Sequence, residues 1–256
     1  YGPAVATDFI NRFQEDVQLM KLAGLTHYRT SINWSRFLTD YENVTVDEEY
    51  AAYYDQLFDA LLANGITPMI CLEHYELPGY LLEKYGGWGS KTVVELFVRY
   101  AEKVFARYHP KVTRWFTFNE PIVVQTRVYL DALRWPYEQN TSTWMQWNYH
   151  KVLATASVVK RFRELGYPGT VGCILNPEVT YPRSRAPHDL RAAEIYDLFY
   201  NRMFLDPLVH GVWPPEPPPL PLMSRRSPMF VRPGVVTGSS AGTSPGSSGV
   251  GMGSSG

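Results

Sequence analysis

A repeated alternation of helical and strand patterns restricts this chain to the parallel β/α folds. Apolar side chains recur at helical spacing in several segments, and most of these segments are followed by a short apolar run of strand-like length. The predicted strands are residues 27–34, 66–75, 112–120 and 170–179. The predicted helices are residues 8–23, 47–64, 90–108, 143–166 and 186–204, with Ser90 as an N-cap. Such alternation is typical of parallel sheets, so the sequence predicts an α/β fold.

The composition is that of a globular domain over most of the length. With 45% hydrophobic and 14% aromatic residues among 256, the chain can bury a sizeable core in one large domain or two small ones. A net charge of −1 does not favour a nucleic-acid partner. The sequence contains no run of about 18 apolar residues and no leader pattern, so we predict no membrane partner and expect a cytoplasmic location.

The composition changes abruptly after Trp213, which divides the chain into residues 1–213 and 214–256. Six of the eight residues from Pro214 to Pro221 are proline, and residues 237–256 form a Gly/Ser tract. Such a segment buries too little apolar surface to offset its ordering entropy, so we predict a disordered tail. A shifted reading frame or a mis-joined gene fragment is the favoured origin; a natural linker and an engineered tail are the alternatives.

The segment from Arg114 to Pro121 combines an aromatic strand pattern with polar groups at its end. The strand closes with Asn119 and Glu120, and Pro121 stops the hydrogen-bond ladder. Functional side chains of α/β barrels lie at the carboxyl ends of strands. We therefore predict that Glu120 is a proton donor at a strand mouth; a solvated carboxylate at a strand end is the alternative.

Residues 117–121, Thr-Phe-Asn-Glu-Pro, resemble the acid/base signature of the family 1 β-glycosidases. Further segments resemble that family in the same order, and they are residues 8–16, 29–36, 74–78, 85–88, 175–176 and 201–207. The resemblance covers residues 3–214. It implies a (β/α)8 TIM barrel that is incomplete here, with about the second to the fifth of its eight strands present.

The resemblance implies a retaining glycosidase in which Glu120 is the acid/base. In such enzymes one carboxyl acts as acid and then as base, and a second carboxylate attacks the anomeric carbon. The first half-reaction needs a neutral acid, so burial or a nearby negative charge would have to favour the protonated form. The family's first strand and its nucleophile motif, Thr-Glu-Asn-Gly, have no match in this sequence. We therefore expect no hydrolysis by this chain alone, and open sheet edges that favour aggregation or assembly with a complementary fragment.

The resemblance also implies sugar-binding roles for polar residues at three strand ends. Asn119 would donate to the 2-hydroxyl, and His74, as a neutral imidazole, would bind the 3-hydroxyl. Arg29 would orient the nucleophile at the base of the pocket. Asn176 would face the leaving group. The alternatives are a turn-forming Asn119, a structural or surface His74, an ion pair of Arg29 with some other acid, and a structural Asn176.

Three aromatic residues, Trp34, Tyr75 and Trp88, could offer flat faces to sugar C–H groups, with core packing as the alternative. No His, Cys or carboxylate cluster in the sequence has metal-ligand spacing, and no cofactor is predicted. Cys71 and Cys173 lie in apolar runs and are predicted to be buried free thiols.

Within the family, residues 74–78 and 85–88 are more similar to the bacterial 6-phospho-β-glucosidases than to plain β-glucosidases. The resemblance thus implies a phosphorylated small-molecule β-glucoside as substrate. The phosphate-binding residues of that subfamily lie on late barrel loops, so a non-phosphorylated substrate stays open. A non-catalytic sugar-binding protein of the same fold is the second alternative. No oligomeric state is predicted.

Overall fold

The computed structural model describes residues 6–134 and 136–214, and the structural statements below concern these residues. The predicted disordered tail, apart from Pro214, lies outside the described residues and stays a prediction. Among the described helices, none combines the length and the apolar character needed to cross a bilayer.

Six strands and nine α-helices are described. The strands are β1 (His27–Ser31), β2 (Leu38–Asp40), β3 (Thr45–Val46), β4 (Thr67–Glu73), β5 (Arg114–Asn119) and β6 (Thr170–Ile174). The helices are α1 (Phe9–Leu22), α2 (Trp34–Phe37), α3 (Glu48–Ala63), α4 (Gly79–Tyr85), α5 (Lys91–Tyr108), α6 (Pro121–Gln125), α7 (Thr141–Leu165), α8 (Pro187–Asp197) and α9 (Met203–Leu205). A short 3-10 helix (Gly87–Gly89) follows α4, and π-helical turns (Thr126–Leu130, Leu198–Arg202 and Asp206–His210) extend α6, α8 and α9.

Four strands form one parallel sheet in the order β1, β4, β5, β6. Each strand is added beside the previous one through a helical crossover. Because such crossovers are right-handed, the connecting helices α3, α5 and α7 share one face of the sheet. The predicted parallel α/β fold is confirmed.

The core between the sheet and these helices is aromatic. Phe118 of β5 stacks on Phe97 of α5 with ring centroids 4.9 Å apart. Phe105 packs edge-on against both Trp115 of β5 (5.0 Å) and Phe162 of α7 (4.9 Å). All five rings are buried, so they fix the height of β5 relative to the helices and thereby the place where β5 ends.

All four predicted strands end earlier than predicted, and the two that end earliest relative to the prediction, β1 and β6, each have a local cause. The strand predicted at 27–34 ends at Ser31, because the Asn33 side chain accepts from the Arg36 N–H and caps helix α2. The strand predicted at 170–179 ends at Ile174, three residues before Pro177, which has no N–H to donate to a ladder.

The predicted helices are confirmed with small shifts of their ends. Ser90 caps α5 by accepting from the Thr92 N–H (3.2 Å), as predicted. Helix α7 begins two residues early, at Thr141, because Asn140 accepts from the Thr143 N–H (3.0 Å). The helix predicted at 186–204 is regular only to Asp197 and continues as a π-helical turn and α9.

A hairpin of β2 and β3, which is not among the predicted elements, carries a carboxylate that contacts helix α4. Glu42, between the two strands, accepts from the hydroxyls of Tyr80 (2.8 Å) and Tyr85 (2.7 Å) in α4. Lys84 of the same helix also donates to it. These three donors lower the pKa of Glu42 to about 2, with the Lys84 hydrogen bond as the largest cause. The hairpin thus holds α4 through one side chain.

Both cysteines are free thiols, as predicted. Cys71 is buried, whereas Cys173 is half-buried. Burial raises the pKa of both thiols, that of Cys173 to about 11, so neither is a ready nucleophile near neutral pH.

Candidate active site

The carboxyl ends of β4, β5 and β6 meet at one edge of the sheet, where most of the predicted site residues lie. Parallel pairing sets Glu73 of β4 opposite Phe118 of β5. The Glu120 N–H donates to the carbonyl of the last residue of β6 (2.8 Å). His74 and Asn119 therefore leave the sheet on neighbouring strands, with Glu120 directly after Asn119.

Glu120 forms the turn from strand β5 to helix α6. Its φ of 43° lies in the left-handed region, which is uncommon for a residue with a side chain. Pro121 then begins α6 at a position where a missing N–H costs nothing. Strained backbone of this kind clusters at functional sites, and here it aims a half-buried carboxylate along the strand edge.

A chain of hydrogen bonds links Arg29 of β1 to Glu120. Arg29 Nη1 donates to Asn119 Oδ1 (3.0 Å), and Asn119 Nδ2 donates to the Tyr75 hydroxyl (2.9 Å). The Tyr75 hydroxyl in turn donates to Glu120 Oε2 (2.6 Å). The structure thus brings together four of the predicted site residues. The predicted contact of Arg29 with a nucleophile stays a prediction.

His74 lies beside this chain of hydrogen bonds. Its ring packs edge-on against Tyr75 with centroids 4.9 Å apart. Partial burial, and then the charge of Arg29, lower the pKa of the His74 imidazole. The neutral ring that the sugar-binding role needs is therefore the favoured form at neutral pH. Binding of a 3-hydroxyl by this ring stays a prediction.

A buried charged layer beneath the site was missed in the sequence analysis. Lys151 of α7 donates to Glu73 Oε2 (3.0 Å), and both side chains are 2% exposed. Glu76 accepts from the His74 N–H (3.0 Å) through Oε2, while its Oε1 is buried without a partner among the described residues. Burial, and next the charge of Glu73, raise the pKa of Glu76 to about 7. The signal available in the sequence was a lysine on the apolar face of α7.

Two of the three predicted aromatic faces lie in the core. Trp34 is fully buried and stacks on Tyr100 (5.3 Å), and Trp88 is 1% exposed and packs against Phe118 (5.1 Å). For Trp34 and Trp88 the structure therefore agrees with core packing, the alternative given in the sequence analysis. Tyr75 is half-buried at the site, where it acts through its hydroxyl.

Asn176 follows β6 and is exposed. With Ile122 of α6 and Tyr200 it lines a crevice of about 10 Å³. It therefore lies on the side of the site toward α6, beyond Glu120, and its predicted position facing a leaving group stays a prediction.

Within residues 6–134 and 136–214, no group of three His, Cys, Asp or Glu side chains is arranged to hold a metal ion.

The structure combines part of a parallel β/α barrel with an amide and a carboxylate at one strand end. This is the arrangement of a barrel glycosidase, and comparison with known proteins agrees. The model of glycosyl hydrolase family 1 matches residues 2–226. The chain belongs to that family. The match extends past Pro214, where the sequence analysis placed the end of the resemblance.

The chain is similar to both 6-phospho-β-glucosidases and β-glucosidases. It is 38% identical over 215 residues to the 6-phospho-beta-glucosidase GmuD of Bacillus subtilis, covering 84% of this chain and 46% of that protein. Beta-glucosidase A of Acetivibrio thermocellus is 33% identical, with 82% and 46% covered. The crystal structure of the psychrophilic beta-glucosidase BglU from Micrococcus antarcticus superposes with a TM-score of 0.76 at 37% identity, covering 82% of this chain and 44% of that one.

The chain thus spans less than half the length of these relatives. The four parallel strands β1, β4, β5 and β6 are those of a partial TIM barrel, as predicted. The residue roles, the mechanism and the substrate are proposals.

Proposed function

We propose that this chain provides the acid/base part of a retaining β-glycoside hydrolase that acts on 6-phospho-β-glucosides. The observation that carries the proposal is the Glu120 carboxylate, half-buried at the carboxyl end of β5 with Asn119 beside it. A carboxyl at that place first protonates the glycosidic oxygen. As a carboxylate it then removes a proton from the water that hydrolyses the glycosyl-enzyme.

The neighbouring side chains suit the binding of a sugar in this reaction. The proposed partner of the 2-hydroxyl is the Asn119 amide, whose orientation Arg29 fixes by donating to Oδ1 (3.0 Å). The proposed partner of the 3-hydroxyl is His74, which as a neutral imidazole offers one donor and one acceptor. Both lie next to Glu120 at the same sheet edge, so one sugar ring can reach all three.

The choice of a phosphorylated substrate rests on similarity. GmuD and the protein from Dickeya chrysanthemi that is 36% identical to this chain are both named 6-phospho-beta-glucosidases. Residues 74–78, which include His74, carry the same similarity in the sequence. A phosphorylated glucoside also agrees with the expected cytoplasmic location.

Hydrolysis by the chain alone is not expected. No Glu-Asn-Gly occurs in its 256 residues, so the second carboxylate is not supplied by the motif that the family uses. Removing one member of a catalytic unit can cost as much as removing all of them. Purified chain should release no p-nitrophenol from p-nitrophenyl 6-phospho-β-glucoside, and a clear turnover would contradict this.

A fusion protein tests the role of Glu120. Residues 1–214 would be joined to the remaining parts of the barrel of GmuD, which supply the first strand and the late strands. We expect hydrolysis of the same aryl phosphoglucoside, and a loss of about 10²- to 10⁴-fold on Glu120→Gln. Glu15→Gln, on the exposed face of α1, is the matched control and should leave the rate unchanged. A Glu120→Gln fusion as active as its parent would refute the role.

A non-catalytic sugar-binding protein is the second candidate, and an intact barrel with a replaced nucleophile in the parent gene would favour it. Sequencing the parent DNA across the codons for Trp213 to Leu220, and translating every frame downstream, separates the two. A continuation with a strand that ends in Glu-Asn-Gly supports the hydrolase. Recovery of only the Pro/Gly/Ser frame supports the binding protein.

A further inference from the structure

The Tyr75 hydroxyl makes the shortest side-chain contact that the structure gives to Glu120. It donates to Glu120 Oε2 at 2.6 Å, a length typical of an O–H group bound to an ionised carboxylate. The Tyr75 hydroxyl oxygen in turn accepts from Asn119 Nδ2 at 2.9 Å. The phenol of Tyr75 is therefore a polar bridge between the amide and the carboxylate, which is a different role from a flat face for a sugar.

The chemistry of Arg29 determines which atom donates and which accepts in each hydrogen bond from Arg29 to Glu120. A guanidinium only donates, so the Asn119 atom that it contacts must be the carbonyl oxygen, and the amide nitrogen must face Tyr75. That nitrogen also only donates, so the Tyr75 oxygen accepts and the single phenolic proton remains for Glu120. A carboxylate accepts this proton more strongly than a neutral carboxyl does. The arrangement therefore favours the ionised form of Glu120.

The backbone supports the same contact from both sides. Tyr75 has a φ of 78° and Glu120 a φ of 43°, and a left-handed conformation is unfavourable for residues with large side chains. The two residues follow the neighbouring strands β4 and β5. These two strained turns direct the phenol and the carboxylate toward each other at the edge of the sheet.

We propose that Tyr75 is a positioning residue for Glu120: its hydroxyl orients the carboxylate and favours the ionised form that acts as the base. The inference rests on the proposed acid/base role. In the base step the carboxylate takes a proton from water while the water oxygen bonds to the anomeric carbon and the bond from that carbon to the nucleophile carboxylate breaks. Tyr75 contacts Oε2, so Oε1 takes the proton, and the hydrogen bond from Tyr75 weakens once Glu120 is neutral. Tyr75 thereby also sets how readily the acid form is reached.

Other ionisable groups face the Glu120 carboxylate. The charge of Glu120 acts on His74, at the end of β4, and on Tyr200, in the π-helical turn after α8. Arg29 and Glu73 also act on His74, and Glu178 and Arg127 also act on Tyr200. These charges are the same in the native chain and in a Tyr75→Phe variant, so a comparison of the two isolates the hydroxyl.

Carbon-13 NMR of the full chain with labelled glutamate carboxyls measures the effect without any hydrolysis. Glu120→Gln identifies the Glu120 resonance, whose titration midpoint is then followed with pH. We expect Tyr75→Phe to raise that midpoint by about one pH unit, because a donor to the charged form is lost. Tyr80→Phe is the matched control: it removes a tyrosine donor from Glu42 instead, and should raise only the Glu42 midpoint.

An unchanged Glu120 midpoint in a Tyr75→Phe chain whose other glutamates titrate as before would overturn the proposal. If that variant loses its dispersed spectrum, 3-fluorotyrosine at position 75 keeps the ring and strengthens the donor. The Glu120 midpoint should then fall, and an unchanged value would overturn the proposal equally. The fusion protein reports separately on the acid/base role, so a failure of that role and a failure of this inference are distinguishable.

Discussion

Replacing Lys151 with methionine should destabilise the fold strongly at neutral pH. Lys151 and Glu73 are each 2% exposed and are joined by a 3.0 Å ion pair. The Lys151 ammonium also lies 4.8 Å from the centroid of the Phe118 ring. Methionine keeps most of the apolar stem but leaves Glu73 as a buried carboxylate without its cation. Losing one partner of a buried pair typically costs about 3–5 kcal/mol.

Protonation of Glu73 limits that cost and makes it depend on pH. For an ordinary glutamate with a pKa of about 4.3, taking up a proton costs about 3.7 kcal/mol at pH 7 and about 1 kcal/mol at pH 5. The buried charge can be relieved in this way, so Lys151→Met should lose about 4 kcal/mol at pH 7 and markedly less at pH 5.

Urea unfolding followed by circular dichroism at both pH values measures these losses. The double variant Lys151→Met, Glu73→Leu should recover to within about 1 kcal/mol of the native chain, since no buried charge remains. Lys160→Met is the matched control, because Lys160 is 80% exposed in its pair with Glu164 and should change stability by less than about 0.5 kcal/mol. A loss below about 1 kcal/mol for Lys151→Met at pH 7, or a double variant as unstable as the single one, would refute the reasoning.

Two further predictions concern stability. Burial and Glu73 raise the pKa of Glu76 from 4.5 to about 7. The contribution of Glu76 to the free energy of unfolding is thus fully present below its ordinary pKa and is lost, by up to roughly 3 kcal/mol, as pH rises through 7. Urea midpoints should show this decline in the native chain and a flatter pH profile in Glu76→Gln. Gly169→Ala should cost at least about 2 kcal/mol, since a Cβ there would lie 2.2 Å from the Thr113 carbonyl oxygen at a φ of 121°. Gly172→Ala, which meets nothing within 4 Å, should change thermal stability little.

The fold was predictable because its pattern is local. Helix caps such as Ser90 and alternating helices and strands are read within a few residues, and parallel β/α topology follows from their order. Strand ends were less predictable. Ile32 lies just past β1, yet it is buried and its N–H still donates to the Cys71 carbonyl of β4 (3.0 Å), so the apolar pattern runs beyond the end of the strand. Val179, predicted at the end of the last strand, is 79% exposed.

The resemblance to the family predicted individual site residues, but the contacts between them were predictable only where the residues are adjacent in sequence. Asn119 and Glu120 stand together in one motif, whereas the Tyr75 hydroxyl reaches Glu120 across 45 positions and Lys151 reaches Glu73 across 78. No spacing rule connects residues that far apart. A lysine on the apolar face of a helix predicts a buried acidic partner, but not which acid, because that choice is made by the packing of α7 against β4.

The three donors on Glu42 make the β2–β3 hairpin and α4 a single cooperative unit. Helix α4 cannot separate from the hairpin without breaking the hydrogen bonds of two tyrosines and a lysine to Glu42 together. Local opening of this part of the molecule is therefore one concerted event rather than the fraying of a short helix. His74 lies in the connection from β4 to α4, so the proposed sugar-binding residue is steadied by a carboxylate outside the proposed site.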